Sequence, residues 1–472
     1  MKLSILLQAI DRTWEGTDVE ITRITDDSRL CDRESLFVCH DAAESYLRQA
    51  KENGAPAVVA AKPLPGCIVV PDTRQAYAKL CRRLFGDADR RLTLVAVTGT
   101  NGKTTVASML HHILLLCGKD AALLSTVTNA DTPDGKTTPD PFVLHKTFAD
   151  LASHGKQIVV MEASSQGLAQ ERLFGLRFAV GIFTNLTGDH LDYHGTPQSY
   201  RDAKIKLFRQ SDRAVVNRDD PCAQQMLDAC RGESVTYSVR HDDATFTAKS
   251  PREFADGQDF ALVSDSFIHR VTLHVFGTFQ VENAMAALLA AQMLGIPLED
   301  GAAALRSFHG VRGRMELLAT DTPFRVMIDY AHTPDGLRRV LLTMRRIVKG
   351  RILLLFGCGG DRDTSKRAEM GAIAVQNADM VILTTDNPRS EDPDAIISDI
   401  LRGVGRSKTP LYIKPDRAGA IAFALGQAQP DDLVLLCGKG HETGITGADG
   451  TEPFDERTVV RQCLEGKERK LL

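Results

Sequence analysis

The 472-residue chain lacks an excess of charge of either sign: 57 Lys and Arg stand against 61 Asp and Glu, for a formal net charge of −4. That balance excludes the global basic field with which nucleic-acid binders capture their ligand. It also lacks paired cysteines: 10 are scattered singly, with no Cys-x-x-Cys and no dense framework. A disulfide scaffold is thereby excluded, and reduced thiols in a cytoplasmic protein are expected. No apolar run reaches bilayer-spanning length, Ile113–Cys117 being far too short. The opening MKLSILLQAIDRTW has a short apolar stretch broken by Gln8 and Asp11 and no small-residue cleavage site. It is predicted to be a helix and not a signal peptide. Internal repeats and low-complexity tracts are absent as well.

What is present is ordinary in bulk, 43% hydrophobic and 25% charged residues, and long enough for several domains that each bury a core. The informative stretch is Val95-Ala-Val-Thr-Gly-Thr-Asn-Gly-Lys-Thr-Thr105. An apolar run, Leu92 to Val97, predicts a buried strand, and Thr104 to Gly118 a helix. A glycine turn with Lys-Thr between strand and helix has the architecture of a phosphate cradle. Gly99 and Gly102 let backbone N–H groups approach phosphate oxygens. Lys103 reaches the outer phosphates, and the Thr104 hydroxyl suits Mg²⁺. Val97 stands where the usual G-x-x-x-x-G-K-[ST] pattern has its first Gly, so the loop is a variant.

The chain divides into three α/β units. Residues 1–88 form a small α/β module with strands predicted at 35–39, 57–60 and 67–70. Residues 89–322 form a central, mostly parallel P-loop-type sheet domain, with strands at 157–161, 179–184 and 214–217, a β-rich stretch at 234–276, and a helix at 281–294. Residues 323–472 alternate strands (325–328, 352–356, 380–384, 411–413, 433–436) with helices, which predicts a Rossmann-like, doubly wound domain. Strands in the second and third units end in polar clusters. Ligands bind outside the carboxyl ends of the strands in open parallel sheets, so Glu162, Asp189 and His190 should converge on the edge that carries the phosphate loop.

Thr104, Glu162 and His190 offer a hydroxyl, a carboxylate and an imidazole; with ATP phosphates, hard donors suit Mg²⁺. Spacing alone favours a structural role for His190, and Asp189 fits a ligand or a cap equally. In the third unit, Arg362 lies in a Gly-rich turn and Arg389 follows the turn signal Asn387-Pro388. A positioned guanidinium is a bidentate carboxylate clamp, and Glu442 supplies the opposite charge for an ammonium. Together they suggest an amino acid facing ATP. Asp27-Ser28-Arg29 reads as a polar loop on spacing alone, and His111-His112 as structural.

These residues resemble the Mur ligases, ATP-dependent amide ligases of peptidoglycan precursor synthesis. The resemblance covers nearly the whole chain through Thr98–Thr105, Met161-Glu-Ala-Ser-Ser-Gln-Gly167, Thr184-Asn-Leu-Thr-Gly-Asp-His-Leu-Asp-Tyr-His194, Gly313-Arg-Met-Glu316 and Asp329-Tyr-Ala-His-Thr-Pro334. Asp386-Asn-Pro-Arg389 is similar to the form that adds meso-2,6-diaminopimelate to UDP-N-acetylmuramoyl-L-alanyl-D-glutamate. The resemblance implies that Ser28, Thr137, Thr138, Ser164, Gln170 and Arg172 bind the UDP-linked substrate. It implies that Gly99, Thr100, Asn101, Gly102, Lys103, Thr104 and Thr105 hold ATP phosphates, with Asn283, Arg314 and Asp329 at the nucleotide. Lys103, Glu162, His190 and Lys204 are the implied catalytic set. Thr104, Glu162, His190 and Lys204, the last as a carbamate, are the implied Mg²⁺ ligands; sequence leaves Lys206 as the alternative to Lys204. Arg362, Asp386, Asn387, Pro388, Arg389, Gly438 and Glu442 match the diaminopimelate pocket.

The implied enzyme is a cytoplasmic monomer with no nucleic-acid or membrane partner, acting through an acyl phosphate made from ATP. The segment after Val38, His40-Asp-Ala-Ala-Glu-Ser45, is shorter than the family's usual one, and Gln280 and Arg312 also depart from common residues. Rival readings are the same ligation with L-lysine, against which Arg389 speaks, the folate-polyglutamate relative, and a P-loop ATPase of another class. The last would leave Glu162, Lys204 and the amino-acid cluster unexplained.

Overall fold

The computed structural model describes all residues except 42–43, 64–65, 130–134, 189–190, 255–256 and 472. The first unit is a four-stranded parallel sheet in chain order, Arg23–Thr25, Ser35–Cys39, Ala57–Ala60 and Cys67–Val69. Every residue of the second and third strands is buried, as expected of unbroken apolar runs covered on both faces. Leu3, Leu6 and Leu7 of the N-terminal helix pack with helix Thr73–Leu84 on one face, and helix Glu44–Glu52 covers the other. The N-terminal segment is helical as predicted, Leu3–Leu7 followed by a tight turn at Gln8–Ile10.

The central sheet has nine strands. From one edge they run Ala121–Leu124, Ile158–Glu162, Thr93–Thr98, Val180–Phe183, Ala214–Asn217, Ser234–Ser238, Phe246–Phe254, Gly257–Ser264 and Phe267–Leu273. All neighbours are parallel up to Phe246–Phe254; the last two pairings are antiparallel. The β-rich stretch expected at 234–276 is thus a meander that extends the parallel sheet. Helices Lys103–Leu116 and Thr278–Met293 fill one face. Helices Pro141–Ser153 and Pro197–Arg209 fill the other. Thr278–Met293 starts earlier than the predicted 281, directly after Gly277 at φ +102°, and is buried nearly all round.

The third sheet has six strands in the order Glu316–Leu317, Arg325–Asp329, Leu433–Cys437, Ile352–Phe356, Met380–Leu383, Leu411–Ile413. It is parallel apart from its first strand, which pairs antiparallel through Glu316↔Ile328. The chain therefore enters this sheet at Glu316, ahead of the expected boundary at 323, because a short hairpin joins the two strands. Helices Pro334–Ile347, Ser365–Asn377 and Pro393–Leu401 cover one face, and Arg417–Gln427 with Glu456–Leu471 the other, as in a doubly wound fold. A small hairpin, Gly444–Gly447 with Gly450–Pro453, follows the last strand. All ten cysteines are free thiols. Among the described residues no helix is long and apolar enough to cross a membrane.

Candidate functional site

Strand Thr93–Thr98 lies between Ile158–Glu162 and Val180–Phe183, with Val97 level with Glu162 and Thr98 level with Phe183. The parallel register therefore delivers the phosphate loop, Glu162 and the Thr184-Asn185 segment to one sheet edge. The loop is packed too closely for side chains at its glycines. A Cβ on Gly99 would lie 1.8 Å from Thr184 Oγ1, and one on Gly102, at φ +86°, 2.5 Å from Asn283 Oδ1. Thr100 N donates to Asn185 O (2.8 Å), Asn101 N to Asn185 Oδ1 (3.0 Å), and Thr184 Oγ1 to Asn101 O (2.6 Å). Thr100 Oγ1 is 3.0 Å from Tyr200 Oη. Lys103 Nζ donates to Gly99 O (2.9 Å) and Thr100 O (2.8 Å). Thr104 and Thr105 are buried, and Thr104 Oγ1 accepts from Arg314 Nη2 at 3.3 Å.

Glu162 is wholly buried and accepts from Thr126 N (2.7 Å) and Thr126 Oγ1 (3.1 Å). Thr126 Oγ1 lies 3.2 Å from Thr137 Oγ1. Thr138 Oγ1 donates to Glu162 O (2.9 Å) and accepts from Ser164 N (2.9 Å). Arg172 donates to Thr138 O (2.6 Å) and to Gln170 Oε1 (3.0 Å), and pairs with Asp140 (3.1 Å). Thr137, Thr138, Ser164, Gln170 and Arg172 thus form one continuous network with Glu162. Thr126 and Asp140, which sequence reading did not single out, hold it together. Lys204 is buried on helix Pro197–Arg209, its Nζ 4.5 Å from the centre of the Tyr200 ring. Lys206 is about a third exposed and paired with Glu171. The two lysines thus differ in burial and in partner. His190, with Asp189, lies outside the described residues.

The central and third units meet over a cleft lined by Asn101, Asn185, Asn283, Arg314, Tyr330 and Arg339. The Arg314 guanidinium stacks 4.2 Å over the Tyr330 ring, a cation–π contact. Asp329 is buried and accepts from Met315 N and Ala331 N, each at 2.7 Å. Burial pushes its pKa up, with Arg314 opposing. Asn283 Nδ2 donates to Gln280 Oε1 (3.1 Å), so the departure at Gln280 orients Asn283. Asn101 Nδ2 donates across the cleft to Asp335 Oδ2 (3.1 Å).

The remaining expected residues gather at the carboxyl edge of the third sheet. Arg389 sits at φ +52°; its Nη1 donates to Gly360 O (2.6 Å) and its N to Thr446 O (2.9 Å). Burial and the like charge of Arg362 pull its pKa down. Arg362 is exposed, donating to Asp361 O (3.1 Å). Asp386, Asn387 and Pro388 are buried. Gly438 is at φ +109°, and a Cβ there would come within 2.4 Å of Asp386 Oδ2. Glu442 Oε2 accepts from Asn387 Nδ2 (2.8 Å) and Lys439 Nζ (3.0 Å). The ammonium partner expected for Glu442 is thus supplied here by the chain itself. Beneath the pocket, wholly buried Arg417 donates to Thr385 O (3.1 Å) and Cys437 O (2.8 Å) and pairs with Glu456 (2.7 Å). Those two carbonyls immediately precede the two pocket loops. His441 packs 5.1 Å from Tyr330 and has its pKa lowered to about 4 by burial and by Arg314, Arg457 and Arg312. No described contact joins Ser28 to these clusters: its Oγ donates to Gln49 Oε1 (2.6 Å) within the first unit.

Residues 97–291 match the Mur ligase middle domain, and 313–440 the Mur ligase, glutamate ligase domain. The chain belongs to the Mur ligase family. Among similar Mur ligases is a UDP-N-acetylmuramoyl-L-alanyl-D-glutamate–2,6-diaminopimelate ligase of Caldanaerobacter subterraneus subsp. tengcongensis. It is 38% identical over 484 residues, covering 99% of this chain and 100% of the relative. The Geobacillus kaustophilus protein of the same name is 40% identical, covering 98% and 99%. A solved structure of a ligase so named superposes with a TM-score of 0.69 at 33% identity, covering 99% of this chain and all of that one. MurF ligase from Thermotoga maritima, solved with ADP, shares the fold at a TM-score of 0.63 and 18% identity over 95% of this chain and 98% of its own.

Proposed function

We propose that this Mur ligase joins meso-2,6-diaminopimelate to the D-glutamate of UDP-N-acetylmuramoyl-L-alanyl-D-glutamate at the expense of ATP. The observation that carries the reading is the likeness, end to end, to ligases that bear this activity in their names, at 38% identity over 99% of the chain in one case and 40% over 98% in another. The D-glutamate side-chain carboxylate attacks the γ-phosphate, and the diaminopimelate amine then displaces phosphate from the acyl phosphate. Gly102–Thr105, at the start of the helix, present N–H groups to the phosphates, while Asn185 holds the Thr100 and Asn101 N–H groups and so shapes the loop; Lys103 offers its ammonium to the charge that develops during transfer. Asn283, Arg314 and Asp329 border the nucleotide; Thr137, Thr138, Ser164, Gln170 and Arg172 take the UDP-linked substrate beside Glu162, and Ser28 its uridine end. Arg362 and Arg389 clamp the distal carboxylate of diaminopimelate, with Asp386, Asn387, Pro388, Gly438 and Glu442 around its amine.

Among the described residues no group of three or more His, Cys, Asp or Glu could hold a metal by itself. Thr104 and Glu162 are hard oxygen donors beside the phosphate loop, which fits Mg²⁺, an ion held by one or two protein oxygens together with substrate phosphates. A carbamate on buried Lys204 would add a third oxygen donor, and His190 completes the proposed set. When bound, Mg²⁺ supplies charge neutralisation for the phosphates. The reading includes a monomer acting in the cytoplasm, where nucleotide-linked substrates such as this one and ATP are both at hand. The test is ligation by purified protein with ATP, Mg²⁺ and the UDP-linked dipeptide. Diaminopimelate should be consumed much faster than L-lysine, and equal rates or a lysine preference would overturn the specificity.

A further inference from the structure

Lys439 is the least expected member of the amino-acid pocket. Its side chain is 0% exposed, and its Nζ lies 3.0 Å from Glu442 Oε2 and 3.0 Å from Asn387 Oδ1. A buried ammonium is costly unless paired, and both partners here belong to the proposed diaminopimelate site. The contacts fix Asn387 unambiguously: Oδ1 receives Lys439 Nζ and Thr446 N (2.9 Å), so Nδ2 must face Glu442. They also place a positive charge on one oxygen of the carboxylate that would receive a substrate ammonium, while the Glu442 side chain stays 29% exposed.

We propose that Lys439 is a positioning residue that sets the charge selectivity of this pocket, an inference that rests on the reading of the site given above. With Lys439, the cations Arg362, Arg389 and Lys439 balance the carboxylates Asp361, Asp386 and Glu442; Arg417, beneath, is paired with Glu456. The distal end of diaminopimelate carries an ammonium and a carboxylate and is neutral overall, so it enters without a net charge penalty. The distal end of lysine is a bare cation, which meets a pocket with no net negative charge to balance it and a Glu442 already shared with Lys439. Discrimination then comes from a repulsive element as well as from the attractive arginines. Without the Lys439 charge the pocket becomes net negative and Glu442 is released to pair with a bare ammonium.

The test is kcat/KM for meso-2,6-diaminopimelate and for L-lysine, measured with wild type, Lys439→Met and Lys439→Gln. Glutamine retains a hydrogen-bond donor for Asn387 without the charge, and circular dichroism shows which variant is folded. The diaminopimelate-to-lysine ratio should fall about tenfold or more in the folded variant, the scale of a charge-assisted hydrogen bond, with KM for ATP unchanged. A merely structural role lowers both rates together. An unchanged ratio in a folded variant of a discriminating wild type overturns the inference alone. A wild type that does not ligate diaminopimelate overturns the reading of the pocket and this inference with it.

Discussion

His145 lies on helix Pro141–Ser153, 1% exposed, edge-on to Phe148 at 5.8 Å, and its Nε2 has no hydrogen-bond partner among the described residues. Burial, with Arg82 nearby, lowers its pKa from 6.5 to about 3. The folded protein therefore holds a neutral ring where the unfolded chain binds a proton. The unfolded state takes up more protons below pH 6.5, so stability is full above that value and is lost as pH falls toward 3. At pH 5 the penalty is about 2 kcal/mol for this one group. His145→Phe keeps the ring and removes the titration, so its melting temperature should fall less than that of wild type between pH 7 and pH 5. Parallel loss in both proteins would show that another group governs acid sensitivity. Nothing in the sequence marks this histidine, because its character comes from what covers it. The same holds for Thr126, whose contact with Glu162 joins residues far apart in the chain. Lys439 and Glu442 were three positions apart and in view; what the sequence withheld was their burial against Asn387.

At the scale of elements, the phosphate loop was legible because its departures from the usual pattern have local causes. Val97 sits inside a strand that continues to Thr98, wholly buried and extended, so no glycine is required there. Gly102 is required: it caps helix Lys103–Leu116 at φ +86° with Asn283 Oδ1 in the space a Cβ would take. Gly102→Ala forces a left-handed alanine, at roughly 1–2 kcal/mol, and pushes Asn283 aside. KM for ATP should rise about tenfold while the KM for diaminopimelate changes little; an unchanged ATP KM would separate this glycine from nucleotide binding. The apolar parallel strands were equally legible, since unbroken runs such as Ile352–Phe356 leave few alternatives. The meander at 246–273 and the hairpin at 444–453 were less so. Their strands mix polar and apolar residues, and their partners are fixed by turns and bulges such as the register shift between Lys249 and Arg252.

For the whole molecule, the proposed chemistry needs ATP, held by the central unit, to face an amino acid held by the third. Short sequence motifs named both ends but not the contacts that bring the units together. Those contacts run through the phosphate loop itself. Asn101 Nδ2 donates to Asp335 Oδ2 at 3.1 Å, and Asp335 is steadied by Arg339 at 2.9 Å, one turn along the same helix. Arg314, at the entry to the third unit, reaches Thr104 at 3.3 Å. The proposed phosphate loop is thus tied directly to the neighbouring unit, and under that reading the packing of the units is coupled to the binding of nucleotide. Asp335→Ala removes the carboxylate shared by Asn101 and Arg339 and leaves the cradle's glycines, Lys103 and Thr104 in place. Because Asp335 is about a third exposed, the loss is that of one partly screened hydrogen bond to a charge, about threefold to tenfold in kcat. ADP affinity measured by calorimetry should change less, since the residues proposed to hold its phosphates, Gly99–Thr105, lie within the central unit. A fall in kcat without a matching loss of ADP affinity would place Asp335 in the closing of the units; equal losses in both would place it in nucleotide binding, and an unchanged kcat would mean that Arg314 and the packing around Gly313 hold the units together without it.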